Sequence, residues 1–464
     1  MKWGTLDVKV LSLVLSVLLQ LLLVATAEAV PSFARQTGMA CYECHVSWPE
    51  LTPAGRRFKL GGFVLNSTAD DERRPVLSLR EVTPAPRIPL AFELQVSVTH
   101  INELPPPNAQ GYIPPNNHVG IQEASVLLAG QLAGPIGCFC ELTYHGDTQK
   151  IRAEVIDLRV AHEWHGERAQ AIYGVSLNNS PSITDIYNTT PNWGWPYSST
   201  ALAATPVANT LINGRLQPEV VAGLTAYALY NNAVYTEVGA YKAIRRGYRV
   251  ETSGVPQADL SDVSGTVPYY RLALQHEWRR GRYSAEVGTF GLTADIFPPA
   301  MSEARLSDHY RDVGYDAQFQ YSSRANRVSM QVRYVDEEQI LHAEYLNFQS
   351  DTLRNTVHQI DGKLSYIYDG RYGISVGYQQ TSGSSNSYLY RPAGSISGDP
   401  STQAVIGELS YEFALPGQNS RPHTRLKLQY TDYAKFNGAT ANYDGYGRNA
   451  RDNNAIYLVL RALY

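Results

Sequence analysis

From Leu90 to the end of the chain, apolar and polar side chains alternate in runs with a period of two. Leu90, Phe92, Leu94, Val96 and Val98 alternate with Ala91, Glu93, Gln95, Ser97 and Thr99, so an extended backbone sends the two sets to opposite faces. The pattern returns at Val126 and Leu128 against Glu123 and Ser125, and at Ile156, Leu158 and Val160 against Asp157 and Arg159. It recurs at Val328, Met330, Val332 and Tyr334 against Ser329, Gln331 and Arg333, and at Leu426, Leu428 and Tyr430 against Arg425, Lys427 and Gln429. The longest runs span about ten residues, the length a tilted strand needs to cross a bilayer.

Connection lengths alternate too. Gly134-Pro135-Ile136-Gly137, Asn231-Asn232, Arg280-Gly281-Arg282 and Asp369-Gly370-Arg371 read as tight turns. Between them lie long segments: Asn102 to His118, Asn178 to Asn209, Ile244 to Thr266, Asp295 to Tyr310, Ser382 to Thr402 and Asn437 to Asp452. Short turns on one rim and long loops on the other predict an all-β fold, an antiparallel transmembrane β-barrel of about sixteen strands with both termini on the short-turn side. A soluble sandwich or propeller is the competing reading. The last run, Ile456, Leu458, Leu460, Ala462 and Tyr464 against Tyr457, Val459, Arg461 and Leu463, resembles the aromatic-ended C-terminal strand of bacterial outer-membrane barrels.

A barrel of that size encloses water unless something fills it. Alternation places Asp157, Arg159, Arg271, Glu277, Arg333, Asp361 and Lys363 on the lumen side. It puts Met330 against lipid, His276 and His358 on the apolar face at an interfacial belt, and His145 and His423 on polar faces.

The first residues differ in kind. Lys2 and Lys9 precede an apolar run from Val10 to Ala25, followed by Ala25-Thr26-Ala27 and Ala27-Glu28-Ala29. This is the layout of a cleavable signal peptide over residues 1–29; an uncleaved anchor would have a short apolar core. Composition adds little: 464 residues, 18% charged, 32 Tyr and 36 Gly, with a mean hydropathy of −0.27. Such values suit a soluble protein and equally a barrel, in which only alternate residues meet lipid. A formal charge of −4 gives no basic footprint for nucleic acid.

The candidate chemistry lies between these parts, at Cys41-Tyr42-Glu43-Cys44-His45. C-x-x-C-H reads as c-type haem attachment, with two thiols for the porphyrin vinyl groups and the adjacent imidazole for the iron. A redox dithiol and half of a zinc site are the alternatives. The remaining cysteines, Cys138 and Cys140, stand two apart in a strand-like run and make a poor second ligand pair or disulfide. Pro49 and Pro53 limit helix to short turns, and Gly61-Gly62 closes the second. A segment as short as 30–75 needs a covalent cofactor as its core. Arg35, Arg56, Arg57 and Lys59 are candidate partners for the haem propionates, or simply a solvated basic face. Met39 precedes the motif on the proximal side, so a sixth ligand must come from elsewhere or be absent; His423 is a candidate distal ligand, beside a short-turn connection.

Phe33-Ala34-Arg35-Gln36-Thr37-Gly38-Met39, the CxxCH residues, and Pro49, Leu51, Gly55-Arg56 and Phe58-Lys59 together resemble the fused monohaem cytochrome and outer-membrane porin family, which includes bacterial iron oxidases. The match is confined to this block and to the order of parts. The resemblance implies signal peptide 1–29, a mostly α/coil c-type haem domain or plug over 30–75, a linker over 76–88 and a barrel over 89–464. It implies one covalent haem c and electron transfer in the outer membrane, from an extracellular donor to a periplasmic carrier such as a soluble cytochrome. Iron-oxidising members carry a second His soon after the motif, whereas His45-Val46-Ser47-Trp48-Pro49 has none. Ferrous iron is therefore only one possible donor. A selective porin with a haem-bearing structural plug is the alternative expectation.

Overall fold

In the first long strand, β1 (Leu90–Ile101), Phe92 is 49% exposed while its neighbours Glu93 and Gln95 are 4% and 5% exposed. A water-soluble strand does the reverse. The same inversion runs round the sheet: Leu142, Val238, Leu274 and Val376 face outward, and Thr143, Glu237, Gln275 and Ser375 face inward. An apolar belt outside and a polar lining inside is the arrangement of a barrel solvated by lipid. The chain is thus a porin-like, outer-membrane-type β-barrel.

The structure, a computed structural model, describes residues 31–37, 39, 41–64, 89–104, 116–146, 149–198, 200, 202–214, 216, 220–244, 262–298, 306–414 and 423–464. The expected signal peptide (1–29) and linker (76–88) lie outside these residues.

After β1 come β2 (Val119–Ala133), β3 (Ile136–His145), β4 (Lys150–His165), β5 (Gln170–Asn178), β6 (Val221–Tyr230) and β7 (Val234–Ala243). Next are β8 (Asp262–Ser264), β9 (Val267–Trp278), β10 (Tyr283–Phe297), β11 (Asp308–Ser322) and β12 (Asn326–Ile340). The last five are β13 (Arg354–Tyr368), β14 (Tyr372–Gly383), β15 (Thr402–Ala414), β16 (His423–Lys435) and β17 (Ala455–Leu463). Neighbours in sequence pair antiparallel, and β17 closes the ring on β1, from Glu93 opposite Leu463 to Ile101 opposite Ala455. β8 and β9 both pair with β10 end to end and form one stave broken at Gly265-Thr266. The barrel therefore has the sixteen staves the alternation predicts. In β17, Ile456 faces outward while Tyr457, Val459 and Leu463 face inward, as expected.

The four tight turns sit where expected, at one rim with both barrel ends. Short turns mark the periplasmic rim of such barrels. Three details differ from the sequence reading. The connection expected over Asn178 to Asn209 runs on to Val220, because β6 starts at Val221. The 295–310 connection is shorter, because β10 runs to Phe297 and β11 starts at Asp308. The β12–β13 connection, which carries a helical turn at His342–Leu346, has no signal in the periodicity.

Candidate functional site

The residues around the CxxCH motif fold inside the barrel, at its short-turn end. Helix α1 (Pro31–Thr37) reaches the wall through Ser32, whose hydroxyl donates to the Ala129 carbonyl at 2.8 Å, and through Gln36, which bonds the backbone of Ala129 and Gln131. Helix α2 (Cys41–Cys44) is a single turn. Cys41 and Cys44, three apart, lie on one side of it. Helix α3 (Pro53–Leu60) starts with Thr52 as N-cap, its hydroxyl accepting from Gly55 N, and with Pro53 at N1. Gly61 caps its end, and Gly62, at φ +76°, turns the chain away. Gly137 of β3 lets this turn approach the wall, since a Cβ there would come under 3.0 Å from the Gly62 carbonyl.

The long β5–β6 connection turns inward and meets this segment. Asp185 organises it by accepting from the backbone of Tyr187, Thr189 and Thr190. Tyr187 then lies between two cations, with Arg56 of α3 at 4.8 Å and Arg271 of β9 at 5.3 Å from its ring. Arg271 also bonds Asp316 of β11 at 2.6 Å. Arg56, Arg159 and Arg271 are all at most 1% exposed. Buried charge persists only where it is paired, so this part of the lumen is a packed polar core, unlike an open water column. The CxxCH segment is fixed to it at several points. The buried Glu50 carboxylate pairs with Lys363 of β13 and accepts from Ser329 of β12. Trp48 lies against Arg461 of β17, 3.3 Å from the ring centre.

Between helices, wall and inward loop is a pocket open to solvent, with about 790 Å³ of space including its mouth. Cys41, Cys44 and His45 lie on its border; Phe33, Phe58 and Phe63 supply apolar wall. Phe139 of β3 and Trp193 of the loop complete it, in a chain of edge-on, tilted and stacked ring contacts with centroids 5.2 to 6.3 Å apart. His45 Nδ1 is 3.2 Å from the Pro49 carbonyl. A carbonyl only accepts, so Nδ1 is the donor in this contact, as it is in a histidine that binds a metal through Nε2. Burial, with Glu43 alongside, pushes the Cys44 thiol above its ordinary range. Trp48 Nε1, on another bordering residue, is a buried donor with no hydrogen-bond partner among the described residues. Two thiols and an imidazole on one edge of an apolar cavity, with an unsatisfied donor beside them, fit a haem c.

The other expected site residues are placed as follows. Lys59 borders the cavity, donates to the Ile183 and Asp185 carbonyls at 3.0 and 2.7 Å, and lies 4.5 Å from the Trp193 ring centre. Burial next to Arg159 pushes its ammonium down to about 7. Arg56 turns to the wall, toward Gln275, Gln318 and Gln320, and Arg57 pairs with Glu277 at 3.1 Å. Arg35 donates to the Leu90 carbonyl. His423 begins β16 at the short-turn rim, opposite Ala414 and Leu463. Met39, assigned by sequence to the proximal side only, borders the same cavity. His145 bonds Glu154 at 2.6 Å in the lumen. The sequence reading missed Glu50, Trp193 and Asn188, which borders the pocket and accepts from Leu51 N at 3.1 Å; their polar or bulky character is ordinary for loops. Beyond the inward loop, toward the long-loop rim, lies a second, solvent-open pocket with about 1150 Å³ of space, bordered by Asn209, Gln359, Gln429 and Tyr433.

No protein-family model matches the sequence, and no curated protein matches it. Among solved structures, the outer membrane channel DcaP of Acinetobacter baumannii is similar at 11% identity and a TM-score of 0.43, covering 83% of this chain and 99% of its own. The anion-selective porin of Comamonas acidovorans has 11% identity, a TM-score of 0.42 and the same coverage. OmpT of Vibrio cholerae has 7% identity and a TM-score of 0.40, over 81% and 96%. At these scores the likeness carries no functional argument, and the barrel assignment rests on the strand pairing itself.

Proposed function

We propose that the chain is an outer-membrane electron-transfer protein in which the CxxCH segment holds one haem c inside an occluded barrel. The observation that carries this reading is the apolar cavity edged by Cys41, Cys44 and His45 within the lumen. A haem c bound there supplies a one-electron redox centre.

The chain's own residues do the rest. Cys41 and Cys44 offer their sulfurs from one helical turn, and Pro49 orients the His45 imidazole through Nδ1. Phe33, Phe58, Phe63 and Phe139 exclude water from the pocket, and the lowered dielectric there favours the less charged redox state. Glu50, Arg56 and Lys59 bind the segment to barrel and loop so that its position is fixed. The donor in this reading is an extracellular one-electron reductant, ferrous iron among the candidates, and the acceptor is a soluble periplasmic carrier.

The second reading is a selective channel whose haem segment is a structural plug. The porin-like barrel and the outer, solvent-open pocket with about 1150 Å³ of space favour it. Membrane-impermeant donors added to intact cells separate the two. Reduction of the haem absorbance from outside supports electron transfer; solute passage with no response to any donor supports the channel.

A further inference from the structure

Three consecutive periplasmic turns are basic. The β9–β10 turn contains Arg279, Arg280 and Arg282, the β11–β12 turn contains Arg324, and the β13–β14 turn contains Arg371, with Asp369 as the only carboxylate in these turns. Arg279, Arg280, Arg282 and Arg324 are exposed, and none has an ion-pair partner among the described residues. The chain as a whole carries a net charge of −4, so this concentration of positive charge is local.

The patch extends inward. At the start of β12, Arg327 lies 5.2 Å from the ring centre of Tyr42, which with Glu43 forms the exposed pair between the two motif cysteines. Arg57 of α3, with a 43% exposed side chain, stands beside the first of these turns through its pair with Glu277. From the β9–β10 turn to the β13–β14 turn is four strand spacings, an arc of roughly 20 Å. That is the width of one face of a small protein partner.

Position separates a protein partner from lipid. Trp278, Tyr283, Tyr321, Tyr368 and Tyr372 flank these turns and form the aromatic girdle that marks the bilayer interface. The arginines lie beyond it, and the inward end at Tyr42 is on the lumen side, out of reach of lipid. Unpaired arginines in water add little to fold stability. They do attract and orient an oppositely charged surface.

We propose that this arginine crescent docks an acidic, soluble periplasmic redox protein against the Cys41-Tyr42 edge of the haem segment. The redox character of the partner rests on the electron-transfer reading above; the docking surface and its charge do not.

The test uses the full mature protein in discs of zwitterionic lipid, with a small acidic [2Fe–2S] ferredoxin as probe and a basic cytochrome c as its opposite. Binding is measured at low ionic strength and at about 0.15 M, where screening shortens the field to about 8 Å. The ferredoxin is expected to bind at low salt and release at high salt. The Arg279→Glu, Arg280→Glu, Arg324→Glu triple variant is expected to lose at least tenfold in affinity with an unchanged haem spectrum and folded-barrel mobility on gels. All three residues are exposed turn residues, so the barrel tolerates their reversal. Equal binding of both probes, or wild-type ferredoxin affinity in the variant, overturns the proposal. So does a variant that alters capture of anionic phospholipid vesicles while ferredoxin binding stays unchanged. Charge-dependent docking without any haem in the protein leaves this surface standing and removes the electron-transfer reading. A redox-active haem with charge-independent docking does the reverse.

Discussion

Gly55 lies directly beneath the Cys44 carbonyl: a Cβ at position 55 would come within 3.0 Å of that oxygen and touch Leu51. The same carbonyl accepts from Thr52 N at 2.9 Å. Helix α3 is thereby pressed against the motif, and the cavity wall at Phe58 is set relative to the cysteines.

Gly55→Ala is therefore expected to displace α3 and lower the share of chains that carry haem, with an overpacking cost of about 1–3 kcal/mol. Haem absorbance per folded barrel checks it. The barrel itself, held by strand pairing, should assemble as usual.

Arg56 is the central tie between the CxxCH segment and the barrel. Arg56→Ala leaves the Gln318 and Gln320 amides and the face of Tyr187 without their shared partner, a loss of about 2–4 kcal/mol. Protease sensitivity of the 31–64 segment should rise in the variant, and Arg56→Lys should recover part of the protection.

Lys59 makes the packing pH-dependent. Its folded value is about 7 against an ordinary 10.5, so between those limits the unfolded chain binds more protons than the folded one. Stability from this group rises as pH increases from 7 to 10.5, by at most about 1.4 kcal/mol per unit, and the cost of its charge is fully present below pH 7. The heat-unfolding midpoint of the wild type relative to Lys59→Met should climb across that window. A constant difference between the two proteins would remove the assignment.

The strands were legible because alternation is a physical requirement wherever lipid faces one side and polar lumen the other; Phe92 and Glu93 cannot exchange places. The CxxCH motif was legible because its spacing encodes one geometry. The inward loop was not. Its Ser, Thr, Asn and Pro residues read as any surface connection, and Tyr187 becomes a core residue only by meeting Arg56 and Arg271 from distant parts of the chain. Proximity in sequence also grouped Arg56, Arg57 and Lys59 as one basic face. On a helix those positions point in different directions, and only Lys59 borders the cavity.

Occlusion has an electrical consequence. Sixteen-stranded porins conduct through water-filled lumens, whereas here Arg159 and Arg271 are fully enclosed between the CxxCH segment, loop and wall. In planar bilayers the intact protein should conduct at least tenfold less than an open porin of equal strand number. Open-porin conductance would mean that segment and loop leave the lumen in the membrane.

The central claim is that Cys41, Cys44 and His45 hold a covalent haem inside the barrel. Intact-mass measurement of the denatured, outer-membrane-extracted protein tests it most directly. The expected result is one added haem that survives denaturation and acid-acetone extraction in the wild type and is absent from the Cys41→Ser, Cys44→Ser double variant, with the barrel still folded. A wild-type mass equal to that of the unmodified chain, from cells competent in c-type haem attachment, would contradict it.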